Sequence, residues 1–301
     1  LRWLLTSLQT GSTLLCDSSF DPETTTEFLS GESCTHPCAG TPFHMAYLAA
    51  QRSRPDEPIF PLVKNFPGGG APKPPLLHEE VKAELGGSGI VSGWGLTEAP
   101  ILTMGASTDP SEKLARTEGR AMPGVELIAI KPDGKQAQAG EEGELRAKAP
   151  QLMLGYLDSQ LDDNAFDENG YFQTGDLGII DEDGYVVISG RLKDVIIRHG
   201  ENISAKEVED LLFQHPSIMD VAVIGLPDEV TGERACAVLS INKEAAPITI
   251  EEMQKYLDDA GLRRNAIPEQ LEIIELIPRN PSGKITKNVL KEEFKNSAFL
   301  R

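Results

Sequence analysis

The sequence predicts a mixed α/β and α+β chain in three parts: an α/β segment, a small β subdomain and a small α+β domain. Three textures carry that prediction. Early on, SGIVSGWG (residues 88–95) places a short apolar strand before a glycine turn, just behind a helix-like run. In the middle, short β-type runs are joined by tight Asp-Gly turns. Towards the end, apolar strands alternate with helices that carry capping residues.

In chain order, residues 1 to about 115 form the α/β segment. FPGGGAPKPP (66–75) is a Pro/Gly-dense loop, and EEVKAELG (79–86) reads as a short helix closed by Gly86. From about 119 to 189, VELIAI, EEGELRAK and DLGIIDEDGYVVISG read as strands, with hairpin turns at Asp133-Gly134 and Asp183-Gly184. Beyond Gly190, Ser204 and Glu207 form a capping-box pattern ahead of an apolar stripe of Val208, Leu211 and Leu212. VAVIG and RACAVLSI follow as strands. Thr249 with Glu252 caps a second helix bearing Met253, Tyr256 and Leu257 on one face, and LEIIELIP is a further strand. The boundary is expected at residues 190–194.

Composition narrows the function. Twenty-eight basic against 47 acidic residues leave a net charge of −19, which argues against general nucleic-acid or anionic-membrane binding. A local cluster such as Arg191, Lys193 and Arg198 can still hold a small anion. No apolar run has the length of a membrane span, and LRWLL followed by polar residues is a poor secretory signal, so the expected compartment is cytoplasmic. Of four cysteines only Cys34 and Cys38 are close, in CTHPC; further metal ligands at useful spacing are missing, and reduced thiols are expected. The chain begins at Leu1 rather than Met, and a start partway through a longer protein is expected.

Four motifs could carry chemistry. In GWGLTE (93–98), Trp94 offers a flat face to a purine or acyl group, Thr97 a hydroxyl to a phosphate, and Glu98 a hard oxygen ligand to Mg²⁺. In YFQTGDLG (171–178), Asp176 lies between glycines and could present both oxygens to a ribose diol, although an Asp-stabilised turn between strands explains it equally. In GRLKD (190–194), Arg191 can fork onto ribose or phosphate oxygens. In NPSGKITK (280–287), a turn could carry the Lys284 ammonium into a cleft, where it would stabilise developing negative charge. A Walker loop is excluded, because Pro278 stands where its first glycine belongs and Ile285 follows the lysine.

Each motif alone is weak. Their order is specific: GGGAP, GWGLTE, GYL, YFQTGDLG, GRLKDVIIRHGENISAKEVE and PRNPSGKITK together resemble the adenylate-forming superfamily, and acyl-CoA ligases in particular. The resemblance covers nearly the whole chain and is weakest over residues 1–60. It implies the C-terminal part of a large N-terminal adenylation domain (1–189, with the β subdomain), a hinge at 190–194, and a small mobile α+β C-terminal domain (195–301). It also implies a two-step reaction. ATP and a carboxylic acid give an acyl-adenylate, and the thiol of coenzyme A then takes the acyl group.

On the family pattern, Gly69, Gly70, Ala71 and Pro72 would wall the adenine site beside Trp94. Thr97 would touch the α-phosphate and Glu98 would hold Mg²⁺. Asp176 and Arg191 would bind the ribose hydroxyls, Lys193 would be the hinge residue, and Gly200 would line the coenzyme A channel. Lys284 would bridge carboxylate and α-phosphate during adenylation. The acid is expected to be fatty or alicyclic, with an aromatic acid also open, and Thr41, Trp94 and Leu102 are the wall candidates. The sequence departs from the family in one respect. A Ser/Thr/Gly-rich loop ending in Pro-Lys, which cradles the outer phosphates, has no match in residues 1–65, so little activity is expected of this chain alone. Two other readings fit: a carrier-protein-loading adenylation domain, and a non-catalytic truncated paralogue that binds nucleotide or a partner.

Overall fold

Three helices open the chain: α1 (Arg2–Thr10), α2 (Thr24–Gly31) and α3 (Thr41–Ser53), the last with Pro42 in its first turn, where a missing N–H costs nothing. The computed structural model describes residues 2–37, 40–69, 73–242, 248–280, 284–295 and 297. β1 (Phe66–Pro67) and β2 (Ile90–Val91) pair in parallel, Phe66 opposite Ile90, with α4 (Pro75–Glu80) as their crossover. The helix expected at 79–86 thus starts earlier, because Pro75 presets the helical φ of a first turn. It continues as a π-helical turn over Val81–Leu85 and stops at Gly86, φ +88°. Tyr47, Phe60, Phe66, Leu77, Val81 and Ile90 form the core of this part.

β3 (Thr103–Met104) pairs antiparallel with β4 (Arg120–Ala121), flanking α5 (Ser111–Arg116). β5 (Glu126–Ile130), β6 (Glu142–Lys148), β7 (Phe172–Ile180) and β8 (Val186–Arg191) then build a four-stranded antiparallel sheet in chain order. Both Asp-Gly turns form: Gly134 N donates to Lys131 O (2.9 Å) and Gly184 N to Asp181 O (3.0 Å). One face of the sheet, Ala129, Leu145, Ala147 and Val186, packs on Trp94, Ala99 and Leu102. That packing seats the GWGLTE loop against the β subdomain.

After β8, a 3₁₀ turn (Leu192–Asp194) leads to β9 (Val195–Arg198) and β10 (Glu201–Ser204), then α6 (Ala205–Leu212), β11 (Ile218–Asp228) and β12 (Gly232–Ile241). α7 (Ile250–Asp259), β13 (Gln270–Ile273) and α8 (Lys287–Phe294) complete the domain. The sheet runs β10-β9-β12-β11, with β13 parallel to β12. Both faces are covered, so its central strands are continuously apolar. Val221, Val223, Ala237 and Leu239 pack with α6 and α7, while Ala222, Ile224, Cys236 and Val238 pack with α8 through Leu290 and Phe294.

The two expected capping boxes differ. Thr249 Oγ1 accepts from Glu252 N (3.2 Å) and Glu252 Oε2 accepts from Thr249 N (2.9 Å), a complete box. Ser204 Oγ accepts from Glu207 N (3.3 Å), but its own proton goes to Ser189 O (2.9 Å) and Glu207 faces Arg263 at 3.8 Å, so only half the box forms. The Ser204–Ser189 bond ties the start of α6 to β8.

α3 carries a fully buried histidine. His44 Nε2 bonds Pro67 O (3.0 Å), and among the described residues Nδ1 has no partner. Burial pushes the pKa down to about 4; the Pro67 carbonyl opposes this, and the charge of Lys73 reinforces it. An unfolded histidine titrates near 6.5, so between those values only the unfolded chain takes the proton. Stability therefore falls as pH drops from about 6.5 to about 4, by about 3 kcal/mol from this group. Urea unfolding of the protein and of His44→Gln across that window should show a shallower pH slope in the variant; equal slopes would contradict the assignment.

Candidate functional site

Two of the predicted site residues, Trp94 and Arg191, meet at a third, Asp176. β7 and β8 place Asp176 directly opposite Arg191, and Arg191 Nε reaches Asp176 Oδ1 at 2.7 Å. Trp94 Nε1 donates to the other oxygen, Oδ2, at 2.8 Å. The carboxylate is 3% exposed and Trp94 8%. Asp176 therefore lies inside a strand and not in a turn between strands. The TGD motif still has local logic. Gly175 takes φ +67°, Thr174 Oγ1 donates to Leu145 O and accepts from Asp176 N (3.1 Å), and the register shifts between Leu177 and Gly178. The irregularity lies just beyond Asp176, which itself stays paired with Arg191 in the ladder. Each oxygen keeps a lone pair for a further donor.

Asp176, Arg191 and Trp94 stand on one wall of a cleft of about 680 Å³ between the β subdomain and the last domain. Thr41, Gly93 and Gly95 share that wall; Lys206, Glu209, Lys284 and Lys287 are on the other. Lys193 lines it from the connecting 3₁₀ turn and is exposed. Lys284 is exposed, and among the described residues its ammonium has no ion pair or hydrogen bond. Its backbone is held: Lys284 N donates to Asn280 Oδ1 (3.0 Å) and Asn280 N to Lys284 O (2.9 Å). A second depression, about 470 Å³ and lined by Arg198, Lys255 and Arg264, takes Arg198 away from Arg191 and Lys193, and Arg198 there pairs with Glu269 (2.6 Å). The chemistry favours the first.

The remaining predicted residues fall elsewhere. Gly69 has φ +123°, and a Cβ there would come 2.6 Å from Gly93 O, so only glycine lets this loop lie on the GWG turn. Gly70, Ala71 and Pro72 lie outside the described residues, as does Cys38 of CTHPC. Thr97 is exposed and Glu98 partly so; both continue Trp94's loop but do not line the cleft. Glu98 Oε1 accepts the Tyr156 hydroxyl (3.0 Å), and its backbone oxygen accepts Met153 N (2.8 Å). Gly200, exposed at φ +79° in the β9–β10 hairpin, is also absent from the cleft lining. Leu102, expected as a pocket wall, is instead fully buried in the core with Trp94.

Sequence reasoning missed Lys73 and Glu118. Lys73 is buried, and its ammonium donates to Ser92 Oγ (2.9 Å), Leu114 O and Thr117 O (3.4 Å). It thereby clamps the 66–75 loop to β2 and to the end of α5. Burial lowers its pKa, the nearby Glu118 carboxylate opposes that, and Lys206 from α6 adds to it. Glu118, on the cleft wall, is raised by burial against the pull of Lys73, Ser92 and Lys206. The only sequence signal was Lys73's place directly after GGGAP.

Among the described residues no group of three or more His, Cys, Asp or Glu could hold a metal, and no helix is long and apolar enough to cross a membrane. Glu98 fits a lone magnesium ligand, since that ion takes one or two carboxylates and completes its shell with phosphate oxygens and water. Its second oxygen has no hydrogen bond or ion pair among the described residues.

Comparison with known proteins identifies the family. The AMP-binding enzyme family matches residues 1–157, and the AMP-binding enzyme C-terminal domain matches 207–284. The chain is 34% identical over 275 residues to a medium-chain fatty-acid–CoA ligase of Escherichia coli K12, covering 91% of this chain and 48% of that protein. It is 36% identical over 237 residues to a salicyl-AMP ligase / salicyl-S-ArCP synthetase of Mycobacterium tuberculosis H37Rv, covering 78% and 41%. The structure of ATP-bound MatB from Rhodopseudomonas palustris superposes with a TM-score of 0.85 at 28% identity, covering 97% of this chain and 57% of that one. The chain spans about half the length of the curated relatives it matches.

The Trp94–Asp176 bond is testable without any ligand. Asp176→Ala strands the buried indole N–H and should cost about 1–3 kcal/mol in urea unfolding. In a Trp94→Phe background the same change should cost about 1 kcal/mol less. Strict additivity of the two substitutions would mean that the pair is not coupled.

Proposed function

Because the chain belongs to the AMP-binding enzymes of the adenylate-forming superfamily, we propose that it supplies the nucleotide-binding wall and the mobile domain of a ligase that activates a carboxylic acid with ATP and passes the acyl group to the thiol of coenzyme A. The observation carrying this reading is the Asp176–Arg191 pair, fixed by Trp94, facing the exposed Lys284 across one cleft. Asp176 would accept both ribose hydroxyls while Arg191 donates to ribose or phosphate. Gly69, with Gly70, Ala71 and Pro72, would wall the adenine beside Trp94. Thr97 would meet the α-phosphate. Glu98 would hold Mg²⁺, whose charge neutralises phosphate oxygens. Lys284 would place its charge where the acid oxygen attacks the α-phosphate.

In this reading residues 190–194 are the hinge about which residues 195–301 turn. β8 reaches Arg191 and the 3₁₀ turn holds Lys193, so rotation there moves Lys284 and Gly200 together while Asp176 stays fixed. With Lys284 at the cleft and Gly200 away from it, the arrangement suits the adenylating step; a turned domain would bring Gly200 to the coenzyme A channel. The acid is proposed to be fatty or alicyclic, with Thr41 and Trp94 at its wall. The name of the mycobacterial relative favours one second reading, in which the thiol belongs to a carrier protein.

Two substitutions test the roles, in a form of the protein that performs both half-reactions. Lys284→Ala should slow ATP–pyrophosphate exchange by about 10²–10³-fold while sparing thioester formation from supplied acyl-adenylate; equal loss of both would refute the role. Lys193→Pro should stiffen the hinge and change the ratio of the two half-reaction rates. An unchanged ratio would move the hinge elsewhere.

A further inference from the structure

Among the described residues the Lys284 side chain makes no bond, yet the backbone that carries it is fastened on both sides to the body of the last domain. Before it, Arg279 Nη2 reaches Asp220 Oδ1 (2.9 Å) and Oδ2 (2.7 Å), and Asp220 is on β11. After it, Lys287 Nζ at the start of α8 reaches Glu209 Oε1 on α6 at 2.8 Å. The same oxygen accepts Val223 N from β11 (2.8 Å). Between these pairs, Arg279 bridges Ile285, and Thr286 N and Oγ1 both donate to Pro278 O (2.9 and 3.0 Å). All four charged residues line the cleft.

From this geometry we propose that Arg279–Asp220 and Lys287–Glu209 are positioning pairs that hold the Lys284 backbone over the nucleotide wall, so that only the lysine's own side chain has to be ordered when substrate binds. The proposal rests on the reading of Lys284 as the adenylating ammonium. Stability alone is a poor reason for these pairs. Largely buried ion pairs contribute little against apolar replacements, and α8 already packs on the sheet through Leu290 and Phe294. Their place beside the cleft, on either side of the exposed Lys284, is explained by aim. A misplacement of about 1 Å can cost about a hundredfold in rate. Glu209 is raised by burial, with the Lys287 ammonium, the Lys287 hydrogen bond and Val223 N opposing, and Asp210 adding to the rise.

The test uses two double variants, Glu209→Gln/Lys287→Met and Asp220→Asn/Arg279→Met, which leave no lone buried charge. Hydrogen exchange of the Lys284 and Thr286 amides should quicken about tenfold in each, with the β12 amides unchanged. Acetylation of Lys284, followed by peptide mass, should be slowed by ATP in the unsubstituted protein, and that protection should fall about tenfold in the doubles. Unchanged exchange and unchanged protection would overturn the proposal. Faster exchange throughout β12 would overturn it too, by showing a general structural role. ATP that fails to slow labelling of the unsubstituted protein would instead refute the reading of Lys284 itself, whatever the exchange shows.

Discussion

Asp176 is the residue on which the rest of the site depends. Its buried carboxylate joins three segments far apart in sequence: the GWG turn through Trp94 Nε1, β7 through its own backbone, and β8 through Arg191. A buried carboxylate without partners would be costly, so these contacts are mutually required. The result is a fixed indole, a fixed guanidinium and a strand that leads straight into the connection at residues 192–194. One negative charge thus sets the wall of the cleft and the place from which the last domain departs.

Opposite that wall, the charge balance is different. The first wall has settled pairs, whereas the last domain presents an exposed ammonium on a braced backbone. Between them, half-buried Glu118 on the cleft wall is backed by buried Lys73, the two linked through Ser92 and within the field of Lys206 from α6. The net charge of −19 does not describe the cleft, whose lining holds eight lysines and arginines against eight aspartates and glutamates. In the proposed reading, a fixed wall and a braced cation on a hinged domain would let one adenylate be served by two different sets of groups.

Much of the fold was legible because its signals are local. Asp133-Gly134 and Asp183-Gly184 turn where left-handed residues must, Thr249 and Glu252 complete their box, and the continuous apolar runs VAVIG and RACAVLSI match a sheet covered on both faces. Errors came where tertiary contacts override local pattern. Pro75 read as loop but starts a helix, Ser204 gives its proton to Ser189 across to β8, and Leu102 lies in the core rather than at a pocket wall. In the site, motif order brought out Trp94, Asp176, Arg191 and Lys284, which share one cleft. The bond between Trp94 and Asp176, 82 positions apart, had no sequence signature, and neither did the burial of Lys73, since both depend on how β2, α5 and the β subdomain meet.

The central claim is that the Asp176–Arg191 wall reads a ribose. The most direct measurement is calorimetric titration with AMP and with 2′,3′-dideoxy-AMP. Hydrogen bonds to a charged acceptor are worth about 1.5–3 kcal/mol, so the dideoxy analogue should bind at least about tenfold more weakly. Equal affinities for the two nucleotides, or no binding of AMP, would contradict the account.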